Sequence, residues 1–263
     1  MRGSRTLAIQ VVNYRTRYYL ERCLATVVAD VERSGLDYEL NLLDNDSGED
    51  LDGFARRYEH CRSFASPSNL GFGGGHNVLA GKSDAPYLLI LNPDVEFLAP
   101  DTARRLLLRL TENDTVKAAG PKLLTDAGAP QPYDHGRLHG LWAQIALRGG
   151  HSYWKAVDVP REVAWVSGAA MAIEHAAFDA AGGFDENLFL YKEDEDLCLR
   201  IRGAGGKVLY DPTVAVRHHG SVVADRGDEL ATASSYYFAK HFPNRVSQRA
   251  FAAAHQWLAY IHL

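Results

Sequence analysis

Residues Leu188–Arg202 read "LFLYKEDEDLCLRIR", with four consecutive acids, Glu193, Asp194, Glu195 and Asp196, between apolar flanks. At ~100° per residue, four neighbours sweep about three quarters of a helix circumference. Leu197, Cys198 and Ile201 then claim the buried stripe by their i, i+3, i+4 spacing. Not all four carboxylates can therefore face open solvent. Two readings are open. The acids decorate a helical first turn, which the macrodipole favours, or one of them is a general base held within hydrogen-bond reach of a proton.

Other chemistry-bearing residues sit where strands should end. Asn13-Tyr14-Arg15 follows the apolar run at 7–12, "DNDSGED" with Asp44 and Asn45 follows 38–44, and "NPDVEF" with Asn92, Asp94 and Glu96 follows 87–92. "SNLGFGGGHN" (68–77) carries Gly71, Gly73, Gly74 and Gly75 and ends on Asn77. Such glycines let a backbone approach a ligand closely, and a helix opening there would favour an anion such as a diphosphate. The stretch lacks GK[ST] and does not follow the first strand, so it is neither a Walker A loop nor a dinucleotide fingerprint. A hard divalent ion bridging a diphosphate needs one or two protein carboxylates, which Asp94 could supply. His218 or His219, in "VRHHG" (216–220), could complete that site. Glu96 would point to the opposite face if the strand continued past Asp94.

These residues need a scaffold. The first 125 residues alternate short apolar runs with amphipathic ones. Strands are expected at 7–12, 38–44, 63–66 and 87–92. Helices are expected through Tyr19, Leu20, Cys23, Leu24 and Val27, near 51–58, and after Pro100-Asp101. That alternation predicts an α/β fold with a mostly parallel, Rossmann-like sheet flanked by helices, whose ligands lie at the carboxyl ends of the strands. Residues 126–162 are loop-rich; strand-like segments follow at 164–174, "KVLYD" and "VAVRH", and the last forty residues read as helical with a break at Pro243. One domain in two halves, 1–125 for the nucleotide and 126–222 for acceptor and catalysis, precedes a helical tail at 223–263.

The chain has 263 residues, 46% hydrophobic and 23% charged, which suffices for a sizeable core. A net charge of −5 argues against nucleic acid as a partner. Cys23, Cys61 and Cys198 are too far apart for a zinc site and imply no disulfide framework. No signal peptide or membrane span is legible, so the expected location is cytoplasmic, with peripheral contact at the inner face of the membrane left open. A homodimer is left open as well.

Seven motifs together resemble glycosyltransferase family 2. In order they are "VVNYRTRYYLERCL", "LLDNDSGED", "NLGFGGGHN", "LILNPDVEF", "VSGAAMAI", "GGFDENLFLYKEDEDLCLRIR" and "VRHHGS", spanning residues 7–222. The nearest likeness is to the bacterial rhamnosyltransferase-like branch. The resemblance implies a GT-A fold and inverting transfer from a nucleotide sugar, dTDP-L-rhamnose or otherwise a UDP-hexose, to a lipid-linked saccharide or growing glycan. It implies that Asn13, Tyr14, Asp44 and Asn45 hold the nucleoside, with Gly71, Gly73, Gly74 and Asn77 near sugar and diphosphate. Asn92-Pro93-Asp94 would replace the family's DxD, with Asp94 and His218 binding Mg2+ or Mn2+ and His219 as the substitute ligand. Gly168 would contact the donor, Asp194 would be the base beside Glu193, and Phe184, Asp185 and Asp196 would line the acceptor side. Two rivals remain. A sugar nucleotidyltransferase should carry a glycine-rich basic loop where "NYRTRYYL" stands, and an inactive binding module should have lost Asp94 or Asp194.

Overall fold

A computed structural model describes residues 5–137, 154–220 and 226–241. Strand β1 (Leu7–Asn13) is buried along its whole length, as an apolar run in the middle of a parallel sheet should be. Helix α1 (Arg17–Ser34) lays Leu20, Cys23, Leu24, Val27 and Val31 against that sheet. It stops at Gly35, where φ is +62° and the Gly35 and Leu36 amides donate back to Glu32 and Val31, a Schellman closure that glycine makes without strain. Then come β2 (Tyr38–Asp44), α2 (Asp52–Arg57), β3 (Cys61–Ala65), α3 (Gly71–Ala80), β4 (Tyr87–Leu91), β5 (Val95–Phe97), α4 (Thr102–Thr111) and β6 (Val116–Leu124). The second half adds β7 (His135–Gly136), β8 (Arg161–Val163), β9 (Trp165–Val166), β10 (Ala170–Glu174), α5 (His175–Ala180), α6 (Glu193–Gly203), β11 (Lys207–His218) and α7 (Arg226–His241).

The main sheet runs β3-β2-β1-β4-β10-β6-β11-β5, with β8 beside β11, and β7 pairs β9 separately. β3, β2, β1 and β4 are mutually parallel; β10 enters antiparallel between β4 and β6. Alternate residues of β1 and β4 serve opposite faces. Leu7, Ile9, Val11, Leu89 and Leu91 pack with α1 and α4, while Ala8, Leu88 and Ile90 join the core that holds Phe178, Leu197 and Ile201. The expected α/β fold is therefore present, with helices on both faces.

The strands depart from expectation in two ways: β5 and β6 lie where no strand is expected, and two expected strands are one. "KVLYD" and "VAVRH" form one strand, β11, whose register against β6 shifts between Asp211 and Ala215, so the chain bulges at Pro212 without leaving the sheet. β6 itself, "VKAAGPKLL", has no clean alternation because most of it is buried on both faces. Among the described residues no helix is long and apolar enough to cross a membrane.

Candidate active site

The parallel register brings the carboxyl ends of three strands to one edge. Asn13 at the end of β1 sits opposite Asp44 at the end of β2, and Val11 sits opposite Leu91, one residue before Asn92. Asn13 is buried and its amide donates to Glu49 Oε2 at 2.7 Å and to Asp44 Oδ1 at 3.4 Å. Asp44 also accepts from the Ser47 hydroxyl and from the Gly48 amide at 2.9 Å, so the turn after β2 is folded around its carboxylate. Tyr14 is partly exposed beside them, with Arg15 5.1 Å from its ring centroid.

Asn45 has a different task. Its Nδ2 donates to Asn69 and to the Gly71 carbonyl, and its Oδ1 accepts from the Leu70 amide at 2.9 Å. The side chain thus fastens the glycine-rich segment to β2, and both ends of its amide are used. Gly71 has φ +72°, and a Cβ there would lie 2.3 Å from the Phe189 carbonyl oxygen. Gly73 gives the same clearance to Phe184, and Gly75 to Val12, at 2.7 and 2.8 Å. Gly71 and Gly73 let α3 lie close to the segment before α6, and Gly75 lets it lie close to β1. Asn77 completes the junction, with Oδ1 accepting from the Phe184 amide at 2.8 Å and Nδ2 donating to the Phe184 carbonyl at 2.9 Å. Buried His76 beside them is pushed down to about 3 by burial, so it is a neutral packing residue.

The chain leaves β4 through Asn92-Pro93-Asp94, whose Asn92 amide donates to the Ala169 carbonyl at 2.9 Å. β5 then pairs with the end of β11, placing His218 opposite Val95 and Arg217 opposite Glu96. Asp94 is buried; its Oδ2 accepts from the Gly220 amide at 2.8 Å and its Oδ1 lies 3.5 Å from His218 Nε2. Adjacent ligands of an octahedral Mg2+ or Mn2+ lie about 3 Å apart, so this oxygen–nitrogen pair fits two positions of such an ion. Among the described residues no group of three His, Cys, Asp or Glu could hold a metal by itself. The donor set therefore fits an ion completed by substrate oxygens and water. His219 does not serve as substitute ligand: its nitrogens lie 3.2 Å from Glu96 Oε1 and 2.5 Å from Asp126 Oδ1. Glu96 pairs across from Arg217 rather than beside His218, and lies among His219, Arg22 and Arg217, away from the Asp94–His218 pair.

On the other side of β4, Gly168 lies just ahead of β10 and donates its amide to Asp194 Oδ2 at 3.0 Å. Asp194 Oδ1 accepts from the Glu195 amide at 2.7 Å. Of the four consecutive acids, Glu193, Glu195 and Asp196 are buried and only Asp194 is partly accessible. Burial, with Glu195 adding to it, pushes the Asp194 carboxyl up to about 6 against the pull of the two backbone donors. Glu193 is raised well above the ordinary value by burial and by Asp194, and its Oε2 has no hydrogen-bond partner. Glu195 is paired with Lys192 at 2.5 Å. The turn before α6 is strained, since Tyr191 and Lys192 have φ of +72° and +69°.

The three expected acceptor residues are placed otherwise. Asp196 is fully buried, with Oδ2 accepting from Arg200 at 2.8 and 2.6 Å and Oδ1 lying 2.7 Å from Lys240 and 2.6 Å from His241. Asp185 accepts from Asn187, from Tyr236 at 3.0 Å and from Lys240 at 2.7 Å. Phe184 is 2% exposed and stacks edge-on with Phe72 and Phe178. In the structure these side chains join α6 and its preceding loop to α7 and to the core. The helical expectation for the tail holds for 226–241, and the basic aromatic residues from Arg249 onward lie outside the described residues. Sequence reading missed Ser47, Glu49, Lys192 and Gln131, each of which acts through a contact that turn geometry or distant chain segments create.

A sequence profile described as Glycosyl transferase family 2 matches residues 8–142. The chain is 28% identical over 236 residues to an N-acetylglucosaminyl-diphospho-decaprenol L-rhamnosyltransferase of Mycobacterium tuberculosis, covering 81% of this chain and 76% of that one. It is 24% identical over 229 residues to the rhamnosyltransferase WbbL of Escherichia coli, covering 80% and 82%. Among solved structures, GalNAc-T7 with UDP, GalNAc and Mn2+ superposes with a TM-score of 0.66 at 16% identity, over 97% of this chain and 55% of that one. That likeness shows the fold, which is GT-A. The profile takes in every strand of the parallel half, with Asn13, Asp44 and Asp94 at its edge, and the chain belongs to glycosyltransferase family 2.

Proposed function

We propose that the protein is an inverting, metal-dependent glycosyltransferase that moves L-rhamnose from dTDP-L-rhamnose to a hydroxyl of a lipid-linked saccharide or growing glycan. The observation that carries this reading is Asp194, a single partly accessible carboxylate fixed by two backbone amides beside the strand end that bears Asn92 and Asp94. The two relatives named as rhamnosyltransferases support the sugar. A UDP-hexose donor is the second reading, favoured by the UDP seen with the GalNAc-T7 fold neighbour. We place the enzyme in the cytoplasm, meeting a lipid-linked acceptor at the membrane surface.

In this mechanism Asn13 and Asp44 border the nucleoside and the start of α3 borders the sugar. Asp194 takes the proton of the acceptor hydroxyl, whose oxygen attacks the anomeric carbon from the face opposite the nucleotide. The bond from that carbon to the diphosphate oxygen breaks, and the configuration inverts without a covalent intermediate. A divalent cation held by Asp94 and His218 would supply charge neutralisation on the departing diphosphate. The Gly168 and Glu195 amides keep Asp194 aimed while it changes charge. Asp194→Asn should lower turnover by roughly 10²–10⁴ with nucleotide affinity retained. Steady-state rates and calorimetric nucleotide titrations test this, and near-normal turnover would reject Asp194 as the base.

A further inference from the structure

His218 offers one nitrogen to the Asp94 corner, and something must decide which nitrogen carries its proton. Its Nδ1 lies 2.8 Å from Gln131 Oε1, and its Nε2 lies 3.1 Å from Asn92 Nδ2. A carboxamide oxygen only accepts and a carboxamide nitrogen only donates. Both contacts are satisfied by one neutral tautomer, with the proton on Nδ1 and the lone pair on Nε2. That lone pair is the one facing Asp94 Oδ1, and a metal-bound imidazole commonly donates its other N–H to a neighbouring acceptor.

Gln131 is itself held in place. Its backbone amide donates to the Leu123 carbonyl at 2.8 Å, extending the end of β6. Three residues on, buried Asp134 accepts from the Leu123 amide at 3.2 Å, from Trp154 Nε1 at 2.7 Å and from the Tyr210 hydroxyl at 2.7 Å, and lies 2.7 Å from His135 Nδ1. Residues 131–134 are thus tied to both β6 and β11 rather than hanging over the site as an open loop. The Gln131 side chain also lies against Gly220, whose amide fixes Asp94 Oδ2.

We propose that Gln131 is a positioning residue that locks the His218 tautomer and presents Nε2 to the divalent cation. The proposal rests on the metal reading of Asp94 and His218 above. Until the cation binds, the Asn92 amide covers the Nε2 lone pair, and binding requires that amide to turn aside.

The first test needs no substitution. Nitrogen-15 NMR of the His218 ring in the intact, metal-free protein, in mildly alkaline buffer, should show the proton on Nδ1; a proton on Nε2 overturns the proposal. The second is Mn2+ binding in the presence of UDP, read from the paramagnetic signal of free Mn2+. Gln131→Leu should weaken Mn2+ binding about 10–100-fold, as loss of an outer partner commonly does, and Gln131→Glu, which keeps an acceptor, should restore it to within a few-fold. Asp94→Asn and His218→Ala run beside them. Loss of Mn2+ in those two with no change in Gln131→Leu overturns the role of Gln131 alone. No change in any of the four overturns the metal site itself. Gln131→Asn, one methylene too short to reach His218, serves if the leucine variant does not fold, and its expected loss of Mn2+ binding is the same.

Discussion

At the scale of residues, four neighbouring acids have four fates, and hydrogen-bond partners decide them. Asp196 is neutralised by Arg200, Lys240 and His241, Glu195 by Lys192, and Glu193 is driven toward its neutral form by burial, which leaves Asp194 as the carboxylate able to meet a substrate. Because Asp194 is raised to about 6, its basic form dominates only above that pH. Turnover should therefore rise about tenfold per pH unit below about 6 and level off above it, in a rate profile taken at saturating donor and acceptor. A profile flat down to pH near the ordinary carboxylate value of about 4 would mean that another group is the base. Asp194 as the proposed base was legible in the sequence through the family resemblance. Its distinction from Asp196 in burial was not, because it depends on the Lys240 ammonium and the His241 ring, supplied some 45 residues downstream.

At the scale of elements, α7 fastens the helix that carries Asp194, the proposed base. Leu188, Tyr237 and Phe238 form an apolar seam, and Lys240 bridges Asp185 and Asp196 across it. Both carboxyls are opposed by their own burial, yet the cations and amides around them hold them below the ordinary value. A depressed carboxylate adds stability above its unfolded value and gives it up as pH falls through that value toward the folded one. Melting temperature should accordingly drop on acidification below about 4, the unfolded Asp value. Asp196→Ala leaves Arg200 and Lys240 without their buried partner and should cost about 3–5 kcal/mol in denaturant unfolding of the intact chain. Gly71→Ala presses a methyl on the Phe189 carbonyl in a left-handed backbone region, and should lower stability and turnover together. A variant of normal rate and stability would show that the α3–loop contact does not set the site.

At the scale of the molecule, the sheet edge gathers Asn13, Asp44 and Asp94 from the parallel half and Asp194 and His218 from the mixed half. Asp94 and His218 would supply only two ligands, so on the proposed reading Mn2+ alone should stabilise the protein weakly. Mn2+ with dTDP or UDP should stabilise it far more. A ligand that binds only the folded state adds about 2.7 kcal/mol at 100 times its dissociation constant, a shift readily seen by thermal unfolding. Equal shifts with and without metal would separate nucleotide binding from the Asp94 corner. A larger shift with dTDP-rhamnose than with UDP-sugars would select the donor.

By itself the sequence determined the strand–helix alternation through β4, the edge at which polar residues collect, and the family, because hydrophobic period and local motifs are properties of adjacent residues. Only the tertiary structure decided that β10 enters antiparallel, that β11 is one bulged strand, and that Asn45, Asn77, Asp185 and Asp196 tie segments together. Only it set His219 against Glu96 and His218 against Gln131. The physical reason is the same in each case. A polar side chain takes the role its partners give it, and those partners come from segments up to about a hundred residues away, a separation that no pattern of neighbouring residues records.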